Sequence, residues 1–232
     1  MRYAMMFFGL GTALAGASCT PAPALPLAIA AARNAADTVR AMLDRGMTAD
    51  LRDDRGLTPL MWAARAGAID AMAALIDGGA DLNARDASSR WTPLLHAIHR
   101  QQPEAVRLLL DRGADPNAAA PRRLTPLMMA ADDPDPATVR LLLAHGADAR
   151  VLGPGGRTAL TQAVSGGALT DFTDRPITGG CRAGTVRALL EHDPTLRLPD
   201  NFAARQALWW ARFNGCRDVL DMIDERVAAT RH

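Results

Sequence analysis

The chain has 232 residues, 49% of them apolar and only 4% aromatic, with 26 Lys plus Arg against 25 Asp plus Glu. This length and apolar fraction support a sizeable core, and a formal charge of +1 gives no overall pull toward nucleic acid or an anionic membrane. Ala and Leu dominate where aromatics are scarce, a composition suited to closely packed helices.

At the N-terminus, Arg2 precedes an uncharged, mostly apolar stretch from Ala4 to Ala17, followed by Ser18, Cys19 and the prolines Pro21, Pro23 and Pro26. A basic start, a short apolar run and small residues at its end read as a secretory signal over residues 1–19, with a Pro-rich linker over 20–24. The run is short against the ~20 residues of a spanning helix. The ending Gly16-Ala17-Ser18-Cys19 resembles a bacterial lipoprotein cleavage site, with Gly16 where Leu or Val is usual. Cys19 would then carry the lipid. Lipidation, plain secretion and an uncleaved anchor stay open, and all three place the protein in the periplasm or cell envelope.

Beyond the linker the chain repeats itself, and such self-similarity outranks any local motif. Thr58-Pro59-Leu60, Thr92-Pro93-Leu94 and Thr125-Pro126-Leu127 recur, with Thr158-Ala159-Leu160 as a weaker fourth copy, at spacings of 34, 33 and 33. Gly79-Ala80-Asp81, Gly113-Ala114-Asp115 and Gly146-Ala147-Asp148 keep the same rhythm, and Gly46 extends it backwards. Each Thr is placed to cap a helix whose first residue is Pro, where no N–H is needed. Leu94, Ala97 and Ile98 then share one face. Pro103 and Glu104 open a second helix with Val106, Leu109 and Leu110 apolar, and Gly113 ends it where a left-handed residue is wanted. No such unit buries its apolar face alone, so neighbours must stack.

The period, the Thr-Pro-Leu opening and the close Gly79-Ala80-Asp81-Leu82-Asn83 or Gly113-Ala114-Asp115-Pro116-Asn117 resemble ankyrin repeats. The resemblance implies an all-α solenoid of about six helix-turn-helix units joined by short hairpin-like turns. The repeat domain spans 25–232, with units at about 25–57, 58–91, 92–124, 125–157, 158–205 and 206–232, the first and last being caps. The chain departs from the family where a His usually follows Thr-Pro-Leu. Met61, Leu95, Met128 and Thr161 stand there. That His ties loops together, so its loss leaves the loops less well determined.

The fifth unit is enlarged by a long loop over 166–182, rich in Gly, Thr and Asp, placed between its two helices. Long loops in compact arrays are often functional or merely mobile. Cys181 and Cys216 fall on the same edge of adjacent units. A disulfide between them and two separate thiols are both open. Units stack about 10 Å apart, a disulfide wants Cα atoms near 5.5 Å, and the insertion is what would close the gap.

No catalytic arrangement holds. His96 and His99 lie three apart on one helix, but no ligand joins them at metal spacing, and they read as surface histidines. Gly153-Pro154-Gly155-Gly156 lacks the Lys and strand of a phosphate loop. Asp132, Asp133 and Asp135 read as a solvated turn rather than a calcium loop. The chain is therefore expected to be non-catalytic, without cofactor or metal. Trp62, Trp209 and Trp210 lie in registers that indicate packing.

By resemblance, turn tips and first helices line a concave surface that takes a protein partner. Position by position this implies Asp54, Arg55, Leu57 and Arg65, then Arg90, Trp91, His99 and Arg100, then Arg122, Leu124, Asp132 and Asp133, then Arg157 and Phe213. Trp and Arg are common interface anchors, and the arginines form a basic strip suited to an acidic partner surface. Nucleic acid is not expected, and a membrane enters only through the N-terminal lipid or anchor. Two rival functions stay open: a small-ligand binder or enzyme using the 166–182 loop, and a toxin-neutralising immunity protein.

Overall fold

The computed structural model describes residues 24–166 and 180–229. The expected signal segment with Cys19, and residues 167–179 of the expected long loop, lie outside the described residues. Twelve α-helices and no β-strand are present among them: α1 (Ala24–Ala32), α2 (Ala36–Asp44), α3 (Pro59–Ala66), α4 (Ile69–Asp77), α5 (Pro93–His99), α6 (Pro103–Asp111), α7 (Pro126–Ala130), α8 (Ala137–Ala144), α9 (Ala159–Ser165), α10 (Ala183–His192), α11 (Phe202–Phe213) and α12 (Arg217–Ala229). They form six antiparallel pairs in two layers. The odd-numbered helices pack on one another in series, from α1 on α3 to α9 on α11, and the even-numbered helices do likewise behind them. The molecule is an all-α solenoid.

Local chemistry explains the boundaries. The Oγ1 atoms of Thr58, Thr92, Thr125 and Thr158 accept from the backbone N–H of Met61, Leu95, Met128 and Thr161 at 3.2–3.4 Å, and prolines fill the next position in three of the four units. At the far end of the second helices, Gly46, Gly79, Gly113 and Gly146 adopt φ of 85–91°. Leu60, Leu94, Leu127 and Leu160 of the first helices are at most 1% exposed, and Ala63, Ala97 and Ala130 beside them let neighbouring helices approach. α11 begins four residues ahead of the boundary expected at Gln206, because the Asn201 side chain caps it by accepting from Ala204 N–H at 2.9 Å.

The insertion leaves and re-enters the array at one neck. Gly166 closes α9 at φ 62°, and a Cβ there would overlap the Gly180 carbonyl. Directly after the neck, Cys181 is bonded to Cys216, with Cα atoms 5.3 Å apart and 35 residues of separation. Cys216 is buried and immediately precedes α12. The bond therefore links the entrances of the second helices of units five and six. No helix among the described residues is long and apolar enough to cross a membrane.

Candidate functional site

The tips joining successive units are built around a turn whose first residue pairs with its last. Asp53 N–H donates to Leu57 O at 3.0 Å, Asp86 to Trp91 at 3.0 Å, Ala120 to Leu124 at 2.8 Å and Gly153 to Arg157 at 2.8 Å. This geometry corrects two expected partner residues. Leu57 and Leu124 are 6% and 5% exposed, because each turns inward as the closing residue of its tip. Leu57 packs with Met61, Ala84 and the half-buried Trp62.

In units two and three the tips are tied despite the missing His, by a donor one position further along the first helix. Trp62 Nε1–H donates to Asp53 Oδ2 at 2.9 Å, and His96 Nε2 contacts Asp86 Oδ2 at 3.1 Å. Asp86, 1% exposed, also accepts from the N–H groups of Ser88, Ser89 and Trp91 and from the Ser88 and Ser89 hydroxyls. Burial alone would raise its pKa, but the Ser89 and Ser88 donors and His96 hold it down to about 2. His96 is 3% exposed, so it is a buried histidine rather than the surface residue expected. Burial and then the Arg65 charge push its pKa down to about 4, against the pull of Asp86. His96 is thus neutral near pH 7, with Nε2–H donating to Asp86 and Nδ1 facing the Arg65 guanidinium at 3.4 Å. The signal for these ties was present as a second period, Asp53 to Asp86 and Trp62 to His96, but it concerns pairs whose meeting depends on how a tip folds back on its helix.

The other expected partner residues differ in exposure. Asp54, Arg55, Arg90, Arg100, Arg122 and Phe213 are exposed, and Arg65, Trp91, His99, Asp132, Asp133 and Arg157 are half-buried. Trp91 meets His96 and His99 edge-on, at centroid distances of 5.5 and 5.0 Å, so one side of its ring is used in packing. The Arg65 guanidinium lies 5.7 Å from the Trp62 ring centre. Three arginines hold left-handed backbones at the tips, Arg90 at φ 58°, Arg122 at 61° and Arg123 at 64°. Arg123 is a further exposed cation beside Arg122 that the sequence reading left out. Two more arginines stitch tip to tip: Arg52 donates to Arg85 O at 2.7 Å, and Arg85 to Ala119 O at 2.7 Å.

Nearer the C-terminal end the character changes. Asp133 accepts from Gln101 Nε2 at 2.6 Å, and Asp132 from Gln162 Nε2 at 3.4 Å, so both carboxylates brace units three to five. Arg182, 7% exposed at the neck, has its pKa lowered by burial against the pull of Asp132 and Asp133. Trp209, expected to be packed, is instead 55% exposed and stacks on Phe213 at 5.3 Å, with Phe202 also exposed on the same helix. Among the described residues no three His, Cys, Asp or Glu side chains gather to hold a metal ion.

Comparison with known proteins agrees with this architecture. Residues 27–120 match the family model for ankyrin repeats in three copies, and residues 109–163 match the model for ankyrin repeats in many copies. A protein of Treponema pallidum (strain Nichols) described as ankyrin repeat-containing is 36% identical over 113 residues, covering 48% of this chain and 37% of the relative's own length. The chain thus spans little more than a third of the curated relative it matches.

Proposed function

The chain belongs to the ankyrin-repeat family, and from that premise we propose that it is a non-catalytic binding module of the bacterial cell envelope, taking a protein partner along its first helices and tips. The observation that carries this reading is the set of side chains exposed at the tips and first-helix ends of the repeats, Arg55, Arg90, Arg100 and Arg122, with Phe213 exposed on α11. Arginine and aromatic side chains dominate binding energy when a partner desolvates them. The helices beneath are held by buried leucines and by turn hydrogen bonds, so these side chains are displayed on a preorganised surface and little ordering is lost on binding. Tips holding Arg90, Arg122 and Arg123 in left-handed conformations add support, since such backbone strain collects at functional surfaces.

The envelope location rests on the signal-like N-terminus and is supported by the Cys181–Cys216 bond, which an oxidising compartment sustains. Affinity capture from an envelope fraction tests the whole reading. Wild type is expected to recover a discrete partner that Trp91→Ala and Phe213→Ala lose. Because Phe213 is 70% exposed, its replacement leaves the core intact. Recovery of the same proteins by both variants would sink the assignment of this face.

A further inference from the structure

A small apolar hollow of about 260 Å³ opens between α1 and α3, walled by Ala28, Ile29, Ala32, Trp62 and the Arg33 side chain. Leu27, Ala28, Ala30 and Ala31 of α1 are at most 6% exposed, whereas Ile29 among them is 41% exposed. Ile29 follows Leu27 in the sequence as Trp62 follows Leu60 and His96 follows Leu94. In those two later units the side chain at this register reaches back to the aspartate of its tip. An isoleucine has no N–H to give, so Ile29 stays at the surface and forms one wall of the hollow.

The opposite wall is fixed in place. Trp62 Nε1–H donates to Asp53 Oδ2 at 2.9 Å, its side chain packs against the cluster of Leu57, Met61 and Ala84, and the Arg65 Cζ lies 5.7 Å from its ring centre. Arg65 is held in turn by His96 Nδ1 at 3.4 Å. The hollow is thus preformed, with one cation, Arg33, in its wall and a second, Arg65, against the ring that closes it. Neither arginine makes an ion pair among the described residues, whereas Arg40, Arg112, Arg150 and Arg205 each have an aspartate. Asp53, the carboxylate at this ring, is already accepting from the N–H groups of Arg55 and Leu57 as well as from Trp62.

We propose that this hollow seats one leucine-sized aliphatic side chain of the partner protein, whose neighbouring acidic residue meets Arg33 and Arg65. This rests on reading the first-helix face as a protein-binding surface. The volume lies below the roughly 300–1,000 Å³ of pockets that enclose small molecules, so it suits a single side chain rather than a whole ligand. Its apolar walls favour burial of an aliphatic group, and two arginines without a counter-charge favour an acidic neighbour over a basic one. A tryptophan already locked by its own hydrogen bond loses little freedom when the partner covers it.

Fluorescence anisotropy of the full chain tests this with a dye-labelled heptapeptide that carries a central leucine between pairs of aspartates. Replacing its leucine with serine, or its aspartates with asparagine, is expected to weaken binding about tenfold in each case. Ala32→Leu, which fills the hollow from its half-buried wall, is expected to weaken the peptide about tenfold, and Arg33→Gln about threefold. Arg33 is exposed, so its replacement leaves the core intact, and it decides with the two altered peptides should Ala32→Leu fold poorly. Arg107→Gln, exposed on α6 of the other layer, controls for net charge and is expected to change nothing. Equal binding of the serine or the asparagine peptide, unchanged binding by folded Ala32→Leu, or equal loss in Arg107→Gln each overturns the proposal. Tighter binding of dodecanoate than of the peptide also overturns it, by making the occupant a free amphiphile. If Phe213→Ala abolishes partner capture while the peptide does not bind, the hollow falls and the binding face stands. If the peptide binds with the expected dependence but capture ignores Phe213 and Trp91, the assignment of those residues falls by itself.

Discussion

Individual residues of this protein settle a conflict between local strain and display. A left-handed backbone costs an L-residue roughly 1–2 kcal/mol, and glycine fills comparable tip positions at Gly56, Gly155 and Gly156. Arg122 occupies such a position at φ 61° with an exposed side chain. Arg122→Gly is expected to raise stability by about 0.5–1 kcal/mol in urea unfolding while weakening partner capture; a fall in stability would show that Arg122 has structural contacts of its own. His96 carries the second residue-level expectation. Its pKa falls from 6.5 to about 4 on folding, so between those values the unfolded chain binds the extra proton. Stability from this group is complete above pH 6.5 and is lost as the pH drops through 6.5 toward 4. Asp86, lowered from 3.8 to about 2, adds a loss with the same sign at lower pH. Thermal melts at pH 7 and pH 4.5 should therefore differ, and His96→Gln, which retains a donor for Asp86, should narrow the difference. An unchanged difference would place the acid sensitivity elsewhere.

Among the elements, the neck of the insertion determines how units five and six behave. α9 and α10 are separated by residues 166–182 where other units use a short turn, yet Gly166 and Gly180 touch and the next residue is bonded to Cys216. The array therefore continues past the insertion with its stacking intact. The bond restrains 35 residues of the unfolded chain, worth about 3–4 kcal/mol in the loop-entropy account. Reductant, or the Cys181→Ser and Cys216→Ser pair, is expected to lower the unfolding midpoint and to act first on α10 to α12 by hydrogen exchange. An unchanged midpoint in reductant would mean that stacking alone holds the last unit.

For the whole molecule, stacking gives each interior unit two neighbours and each end unit one. The consequence is visible at α11. Trp209 occupies the register of Met61, Leu95, Met128 and Thr161, all at most 2% exposed, with tip residues Ala84 and Gly153 against Met61 and Met128. No unit among the described residues covers Trp209, so it joins Phe202 and Phe213 on an open aromatic face. Arg55, Arg90, Arg100 and Arg122 are exposed in the first three units.

The helix pairs, their threonine caps and their glycine ends were all legible from residue order, because each depends on contacts within about four residues repeated at a fixed period. Other features required the stacked form. The inward turn of Leu57 and Leu124, the shifted donors Trp62 and His96, the burial of His96 and the exposure of Trp209 depend on how tips fold back and which faces neighbours cover. The 5.3 Å approach of Cys181 to Cys216 joins residues 35 positions apart. A periodic pattern specifies that units stack, but the offset between neighbouring units decides which side chains meet.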